Sequence, residues 1–153
     1  MNFGVVILGS DINPYYMARC FNDEYNIKPH LICKQYMGIT GLSNILTYEV
    51  EPKLNEKYAF LEVLKNYSLK NKQKKLILIP GNDEYTKLIV ENTEYLKEYY
   101  YFNVCSQEIL NSFLSKNKFY ETYKNKLDLP KTYIFTCGKE KIDLKNISYF
   151  MYP

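Results

Sequence analysis

The alternation of short apolar runs with capped helical patterns constrains the fold of this chain most strongly. The first run, Phe3–Leu8, is rich in β-branched residues and ends at Gly9. A continuous apolar run of this length is typical of a strand that is buried on both faces of a parallel sheet. Further runs of this kind follow at residues 29–33, 45–50, 75–80 and 100–104.

Helix starts are predicted wherever a capping side chain precedes apolar residues at helical spacing. These starts are Asn13-Pro14, Asn55, Gly81-Asn82-Asp83 and Ser106. A further helix is expected from about Lys116 to Lys126, and a last strand at Thr132–Cys137. Strands separated by helices favour a parallel sheet with helices on both faces. We therefore predict an α/β fold, a three-layer Rossmann-like domain over residues 1–106, with residues 107–153 leading out of it.

The charges give little support to a nucleic-acid partner. The 20 basic residues include one arginine, Arg19, and the lysines are scattered among 17 acidic residues. Nucleic-acid surfaces use arginine forks and a concentrated basic stripe. No apolar run is long enough to span a bilayer, and the first residues lack the features of a signal peptide. We expect a cytoplasmic protein with no nucleic-acid or membrane partner.

The cysteines and the histidine do not indicate a metal site. There is no C-x-x-C pair, and His30 is the one histidine in the sequence, so a zinc or iron–sulfur centre is not expected. His30 lies beside an apolar pair, which is more typical of a strand residue than of a general base. All four cysteines lie in apolar or periodic segments, and we expect them to be buried, reduced thiols. They are Cys20, Cys33, Cys105 and Cys137.

Two similar turns follow two of the predicted strands. They are Gly9-Ser10-Asp11 and Gly81-Asn82-Asp83. Ligands of open parallel sheets bind beyond the carboxyl ends of the strands, where the strand order reverses. If the two strands are neighbours, the glycine N–H groups and helix N-termini would face an anion, and Asp11 and Asp83 would hold an amine. The alternative is that both aspartates only shape the turns and cap the helices.

A dinucleotide site is the main rival for this crevice. The first turn has one glycine, Gly9, where the dinucleotide fingerprint needs three. The second strand ends in Lys34 and Gln35, where an acidic residue would grip the ribose. There is also no G-x-x-x-x-G-K motif for a P-loop. The turns therefore suit a zwitterion, such as an amino acid, better than a nucleotide.

A family resemblance lies in the segments Leu114–Tyr120 and Leu129–Tyr133 and in the opening Val5–Asp11 with Tyr16–Arg19. The chain resembles the preATP-grasp domain of the ATP-grasp carboxylate–amine ligases, the group that includes the large subunit of carbamoyl phosphate synthetase. The opening is similar to that of the bacterial members. The resemblance covers nearly the whole chain, and it implies an enzyme that phosphorylates a carboxylate with ATP before an amine displaces the phosphate.

The resemblance also implies specific roles. Lys116 matches the family lysine that contacts ATP phosphate, and the alternative is a solvated lysine at a helix start. The family usually has an acidic residue before that lysine. This chain has Ser115 there, so Lys118 is the second candidate. The turns at Gly9–Asp11 and Gly81–Asp83 would hold an amino acid or another small carboxylate.

The family apparatus that follows this region holds adenine and magnesium, and the resemblance places none of it before Pro153. We therefore expect the N-terminal part of a ligase, inactive alone, in which residues 107–153 begin an incomplete ATP-grasp domain. ATP and Mg²⁺ would serve the full-length enzyme, with neither bound tightly by this chain. The alternative is a stand-alone Rossmann-like module that binds a small molecule or a protein. Tyr149, Phe150 and Met151 would then dock a partner or a second copy, giving a homodimer.

Overall fold

The computed structural model describes residues 3–132, and the chain divides into a first unit that ends at Leu110 and a second that begins at Asn111. The first unit contains a four-stranded parallel sheet with the strand order β3-β2-β1-β4. Its strands are β1 (Phe3–Leu8), β2 (His30–Cys33), β3 (Thr47–Val50) and β4 (Lys75–Pro80). Together with its helices, the sheet confirms the predicted Rossmann-like α/β fold.

The helices of the described residues follow the strands in alternation. They are α1 (Ile12–Tyr25), α2 (Gly38–Gly41), α3 (Lys57–Lys70), α4 (Asp83–Glu91), α5 (Thr93–Leu96), α6 (Gln107–Phe113) and α7 (Lys116–Tyr123). None of these helices is long and apolar enough to cross a membrane. The predicted cap Ser106 is confirmed, because its Oγ accepts from Ile109 N–H. The predicted turn 81–83 does start a helix, and its cap is Asn82, whose Oδ1 accepts from Tyr85 N–H, and not Asp83.

Consecutive side chains of β1 pack in two hydrophobic cores, one on each face of the sheet, which explains its unbroken apolar run. Val6 and Leu8 pack in one cluster with residues of α3 and α4, such as Phe60 and Ile89. Val5 and Ile7 pack in a second cluster on the other face, with Ala18 of α1. Since side chains alternate along a strand, helices cover the sheet on both sides. The three layers follow directly from this pattern.

The predicted strand at 100–104 is wrong, because only Tyr101 among these residues pairs with the sheet. Tyr101 N–H donates to Leu76 O across 2.8 Å, and Leu78 N–H donates to Tyr101 O across 2.9 Å. These bonds form a single parallel bridge between Ile77 and Tyr101. To continue this ladder, Asn103 N–H would donate to Leu78 O and residue 80 would donate to Asn103 O, but residue 80 is proline and has no N–H. Pairing therefore stops, and residues 102–106 leave the sheet without forming a strand.

Two of the predicted helix caps are also wrong. The cap of α1 is Asp11, whose Oδ1 accepts from Asn13 N–H across 3.0 Å, so the helix begins one residue before Asn13. Pro14 still fits the first turn, where its missing N–H is not needed. Asn55 does not cap α3. The helix follows Glu56, which makes no side-chain cap bond.

Several other predictions need correction, and some concern residues outside the described part of the chain. Helix α7 ends at Tyr123, short of the predicted end at Lys126. Cys33 is buried as expected, whereas Cys20 and Cys105 are exposed. Cys20 is exposed because α1 turns Pro14 and Ala18 toward the sheet instead. Cys137, the predicted last strand after Thr132 and the residues Tyr149, Phe150 and Met151 lie outside the described residues.

Candidate functional site

Strands β1 and β4 are neighbours at the point where the strand order reverses. From β1 the chain crosses to β2 and β3 on one side, and α3 then carries it back to β4 on the other. The two turns that follow these strands meet there, since Gly81 N–H donates to Leu8 O across 2.9 Å. This is the position at which open parallel sheets bind their ligands.

A cavity of about 300 Å³ opens at this edge of the sheet. Each of the four strands contributes to it through the loop after its carboxyl end, and most of the lining side chains are polar. We call this cavity the switch-point pocket. Its lining residues are Gly9, Ser10, Asp11, Lys34, Gln35, Met37, Asn55, Asn82, Glu84 and Tyr85.

The structure brings four of the six predicted substrate residues together in this pocket. Gly9, Ser10, Asp11 and Asn82 line it. Gly81 is buried and Asp83 is exposed, and neither is a lining residue. Asp11 and Asn82 both cap helices. For Asp11 this agrees with the alternative interpretation, in which the aspartates of the two turns cap helices. Capping occupies Oδ1 of Asp11 and leaves its second oxygen for a ligand.

The two glycines do not present their N–H groups to a ligand, contrary to the expectation from the sequence. Gly9 N–H donates to Ile32 O, and Gly81 N–H donates to Leu8 O. Gly9 is required for its φ of 118°, which disfavours any side chain. The first turn of a helix leaves N–H groups without an intrahelical acceptor. In α1, Asn13 N–H is bonded to Asp11 and Pro14 has no N–H, so Ile12 keeps such a group. In α4, Tyr85 N–H is bonded to Asn82, so Asp83 and Glu84 keep theirs.

Hydrogen bonds fix the wall formed by the loops after β1 and β2. The hydroxyl of Thr40, which is completely buried, donates to Ser10 O across 3.0 Å. Ser10 Oγ donates to Gln35 O across 3.1 Å. The side of the pocket that carries Ser10 is therefore held in place before a ligand binds, which reduces the ordering cost of binding.

Sequence reasoning did not assign Asn55, Glu84 or Tyr85 to the site. Asn55 Nδ2 donates to Glu84 Oε1 across 2.6 Å and thereby joins the loop after β3 to the start of α4. Asn55 Oδ1 is buried and has no hydrogen-bond partner among the described residues. Lys34 is the one cationic side chain among the lining residues. In the sequence it served only as evidence against a dinucleotide-binding site.

Tyr85 lies at the back of the pocket and is 4% exposed. Burial raises its pKa to about 12, and the nearby Glu84 carboxylate adds to the shift. The phenol therefore stays protonated at neutral pH. It is not a candidate general base.

The second unit contains the predicted phosphate lysine. Lys116 is exposed at the first position of α7, and Ser115 caps this helix by accepting from Lys118 N–H across 3.5 Å. Ser115 therefore has a structural role at the start of this helix. Phe119 packs on Phe113 and Tyr123, with ring centroids 5.3 and 5.1 Å apart, so it serves local packing.

A separate cavity of about 350 Å³ lies in the second unit and contains the Pro-Lys-Thr element. Neither Lys116 nor Lys118 lines this cavity, and their phosphate role stays a prediction. The lining residues are Tyr120, Glu121, Lys124, Leu129, Pro130, Lys131 and Thr132.

Comparison with curated proteins finds a ligase. The chain is 33% identical over 139 residues to a D-aspartate ligase of Enterococcus faecium (strain Aus0004). The match covers 84% of this chain and 32% of the ligase, so the chain spans about a third of the length of this relative. No family model matches the chain, and no solved structure matches it. The relative is a ligase, which is the broad class of enzyme that the resemblance implies.

Proposed function

We propose that this chain is the N-terminal, substrate-side part of an ATP-dependent carboxylate–amine ligase of the ATP-grasp type. The observation that carries the proposal is the switch-point pocket, a polar cavity to which all four strands contribute in a chain similar to a ligase. Its proposed ligand is an amino acid or another small carboxylate. D-Aspartate is the first candidate because the relative is a D-aspartate ligase.

The proposed reaction has two steps. In the first, a carboxylate oxygen attacks the γ-phosphorus of ATP, so that an acyl phosphate forms and ADP leaves. In the second, an amine attacks the acyl carbon, loses a proton and expels phosphate to form an amide. The contribution of this chain is to bind and orient the carboxylate substrate, since positioning lowers the barrier of such transfers.

The polar groups of the pocket suit a zwitterion. The starts of α1 and α4 favour the carboxylate, because the helix dipoles and the N–H groups of Ile12, Asp83 and Glu84, which have no intrahelical acceptor, attract negative charge. The carboxylates of Asp11 and Glu84 line the same cavity and favour the ammonium group. Both kinds of group lie at the helix starts and turns that directly follow β1 and β4, which gives the ligand a defined orientation.

The phosphate-transfer apparatus is proposed to belong to a full-length enzyme. Lys116, or Lys118 in its place, would contact ATP phosphate there. Within residues 3–132, no group of three His, Cys, Asp or Glu side chains is placed to hold Mg²⁺, and none of the roles proposed for this chain involves the metal. We expect this chain alone to have no ligase activity and to bind ATP with a dissociation constant of ~1 mM or weaker.

Calorimetric titration of the 153-residue chain tests the proposal. We expect D-aspartate to bind and ATP to bind weakly or not at all. An ATP dissociation constant tighter than ~10 μM, equivalent to about 7 kcal/mol, would contradict the assignment of the phosphate site to other parts of the enzyme. Failure of amino acids and small carboxylates to bind at millimolar concentration would contradict the substrate-side role itself.

A further inference from the structure

The amide of Asn55 is oriented by Glu84 and leaves one polar atom unused. Its Nδ2 must face the carboxylate of Glu84, 2.6 Å away, because an amide oxygen there would meet another acceptor. Oδ1 consequently points away from Glu84, is buried and has no partner among the described residues. A buried acceptor without a donor destabilises a protein. Because Oδ1 is closed to solvent, a ligand does not reach it, and Asn55 acts on the pocket through Nδ2, which holds the Glu84 carboxylate.

In the described part of the chain, the carboxylate of Glu84 has no positively charged partner. Its carboxylate takes one hydrogen bond from the neutral amide of Asn55, and within residues 3–132 it makes no ion pair with a lysine, arginine or histidine. Lys34 lines the same pocket but does not pair with it. The Glu84 carboxylate is exposed in the pocket, carries a negative charge and keeps a second oxygen for a donor. An ammonium group matches it, since it carries positive charge and three donors.

We infer that Asn55 and Glu84 together form the subsite for the ligand's ammonium group in the switch-point pocket. The inference rests on the proposed amino-acid site and replaces Asp83, which the sequence favoured, with its neighbour. Asp83 and Glu84 both lie in the first turn of α4, but only Glu84 lines the pocket. The loop after β3, for which the sequence predicts no role in binding, contributes Asn55 and thereby takes part in recognition.

Two ligands that differ by the ammonium group test this subsite. D-Aspartate and succinate share a four-carbon dicarboxylate skeleton, and succinate lacks the amine. The Glu84→Gln variant keeps an acceptor for Asn55 Nδ2 and removes the charge. We expect it to weaken D-aspartate binding by about tenfold, a value discounted because Glu84 is exposed, and to leave succinate binding within about twofold of the unchanged protein.

Asp83→Asn is the matched control. It removes the same charge from the same helical turn, so it reproduces any effect on the helix dipole without touching the pocket. We expect it to leave the ratio of D-aspartate to succinate affinity unchanged. Asn55→Ala should also reduce the affinity for D-aspartate, as Glu84→Gln does. Nuclear magnetic resonance spectra of each variant confirm that the fold is retained.

The outcomes separate the subsite from the proposed function. If D-aspartate binds but Glu84→Gln changes the affinities for both ligands equally, or no more than Asp83→Asn does, the ammonium subsite is wrong and the substrate pocket stands. If neither D-aspartate nor succinate binds the unchanged chain, the proposed function and the subsite both fail. A selective loss of D-aspartate affinity in Glu84→Gln supports both.

Discussion

Replacing Gly81 with alanine tests the close approach of the turns after β1 and β4. A Cβ at position 81 would overlap the carbonyl oxygen of Leu8 and lie 2.6 Å from Pro14 Cγ. Neither neighbour is the end of a flexible side chain. The Leu8 carbonyl accepts from Gly81 N–H, and Pro14 is buried in the first turn of α1. The backbone must therefore shift where the switch-point pocket is built.

The expected cost follows from two contributions. Forcing a methyl group into a packed site costs ~1–3 kcal/mol, and weakening the bond from Gly81 N–H to Leu8 O adds ~1 kcal/mol. We expect Gly81→Ala to lower the free energy of unfolding by ~2–4 kcal/mol. Gly38→Ala is the control, because a Cβ at position 38 of helix α2 meets nothing within 4 Å. This control should be neutral or stabilising, by up to ~1 kcal/mol.

Urea denaturation followed by circular dichroism and tyrosine fluorescence measures both variants. The chain has 17 tyrosines and no tryptophan, so tyrosine supplies the fluorescence signal. If the free energy of unfolding of Gly81→Ala lies within ~0.5 kcal/mol of that of Gly38→Ala, the contact between the two turns is looser than described. The argument that glycine is needed there for close approach would then be wrong.

Two further predictions concern a cap and a titratable group. Asp11→Ala should lose ~1 kcal/mol of unfolding free energy by removing the α1 cap, whereas Asp11→Asn should retain it; equal stability of the two variants in urea denaturation would contradict the capping role. Burial lowers the pKa of His30 below 6.5, although Glu49 opposes the shift, so the unfolded chain binds more protons and stability should fall as the pH drops below about 6.5. His30→Phe, which keeps an aromatic ring beside Tyr67, should remove that part of the pH dependence. The measurement is the change in the free energy of unfolding between pH 7.5 and 5.5. If this change is the same in His30→Phe as in the unchanged protein, the assignment to His30 is wrong.

The architecture could be predicted because its signals are local. The run Val5–Leu8 supplies two cores at once, and the residues Asn82 and Ser106 cap helices through their own side chains. The end of the predicted strand at 100–104 depends instead on register. Pro80 stops the ladder only because Tyr101 pairs between Leu76 and Leu78, and no local pattern fixes that pairing.

The pocket could be predicted only in part, for a similar reason. The turns at Gly9 and Gly81 stand out in the sequence, and their meeting follows once β1 and β4 are neighbours. Asn55 was interpreted as a helix cap, the commonest role of such a residue. Its partner Glu84 is 29 positions away, so their hydrogen bond depends on how the loop after β3 folds over the start of α4. The helical phase of α4, which sequence alone places only approximately, decides between Asp83 and Glu84.

Mapping the binding site on the chain tests the central claim most directly. In a titration of the isotope-labelled chain with D-aspartate, followed by nuclear magnetic resonance, we expect saturable shifts at backbone amides around the switch-point pocket. The expected positions are 9–11, 34–35, 55 and 82–85. An absence of saturable shifts, or shifts confined to residues far from this edge of the sheet, would contradict the account of the chain as the substrate-side part of a ligase.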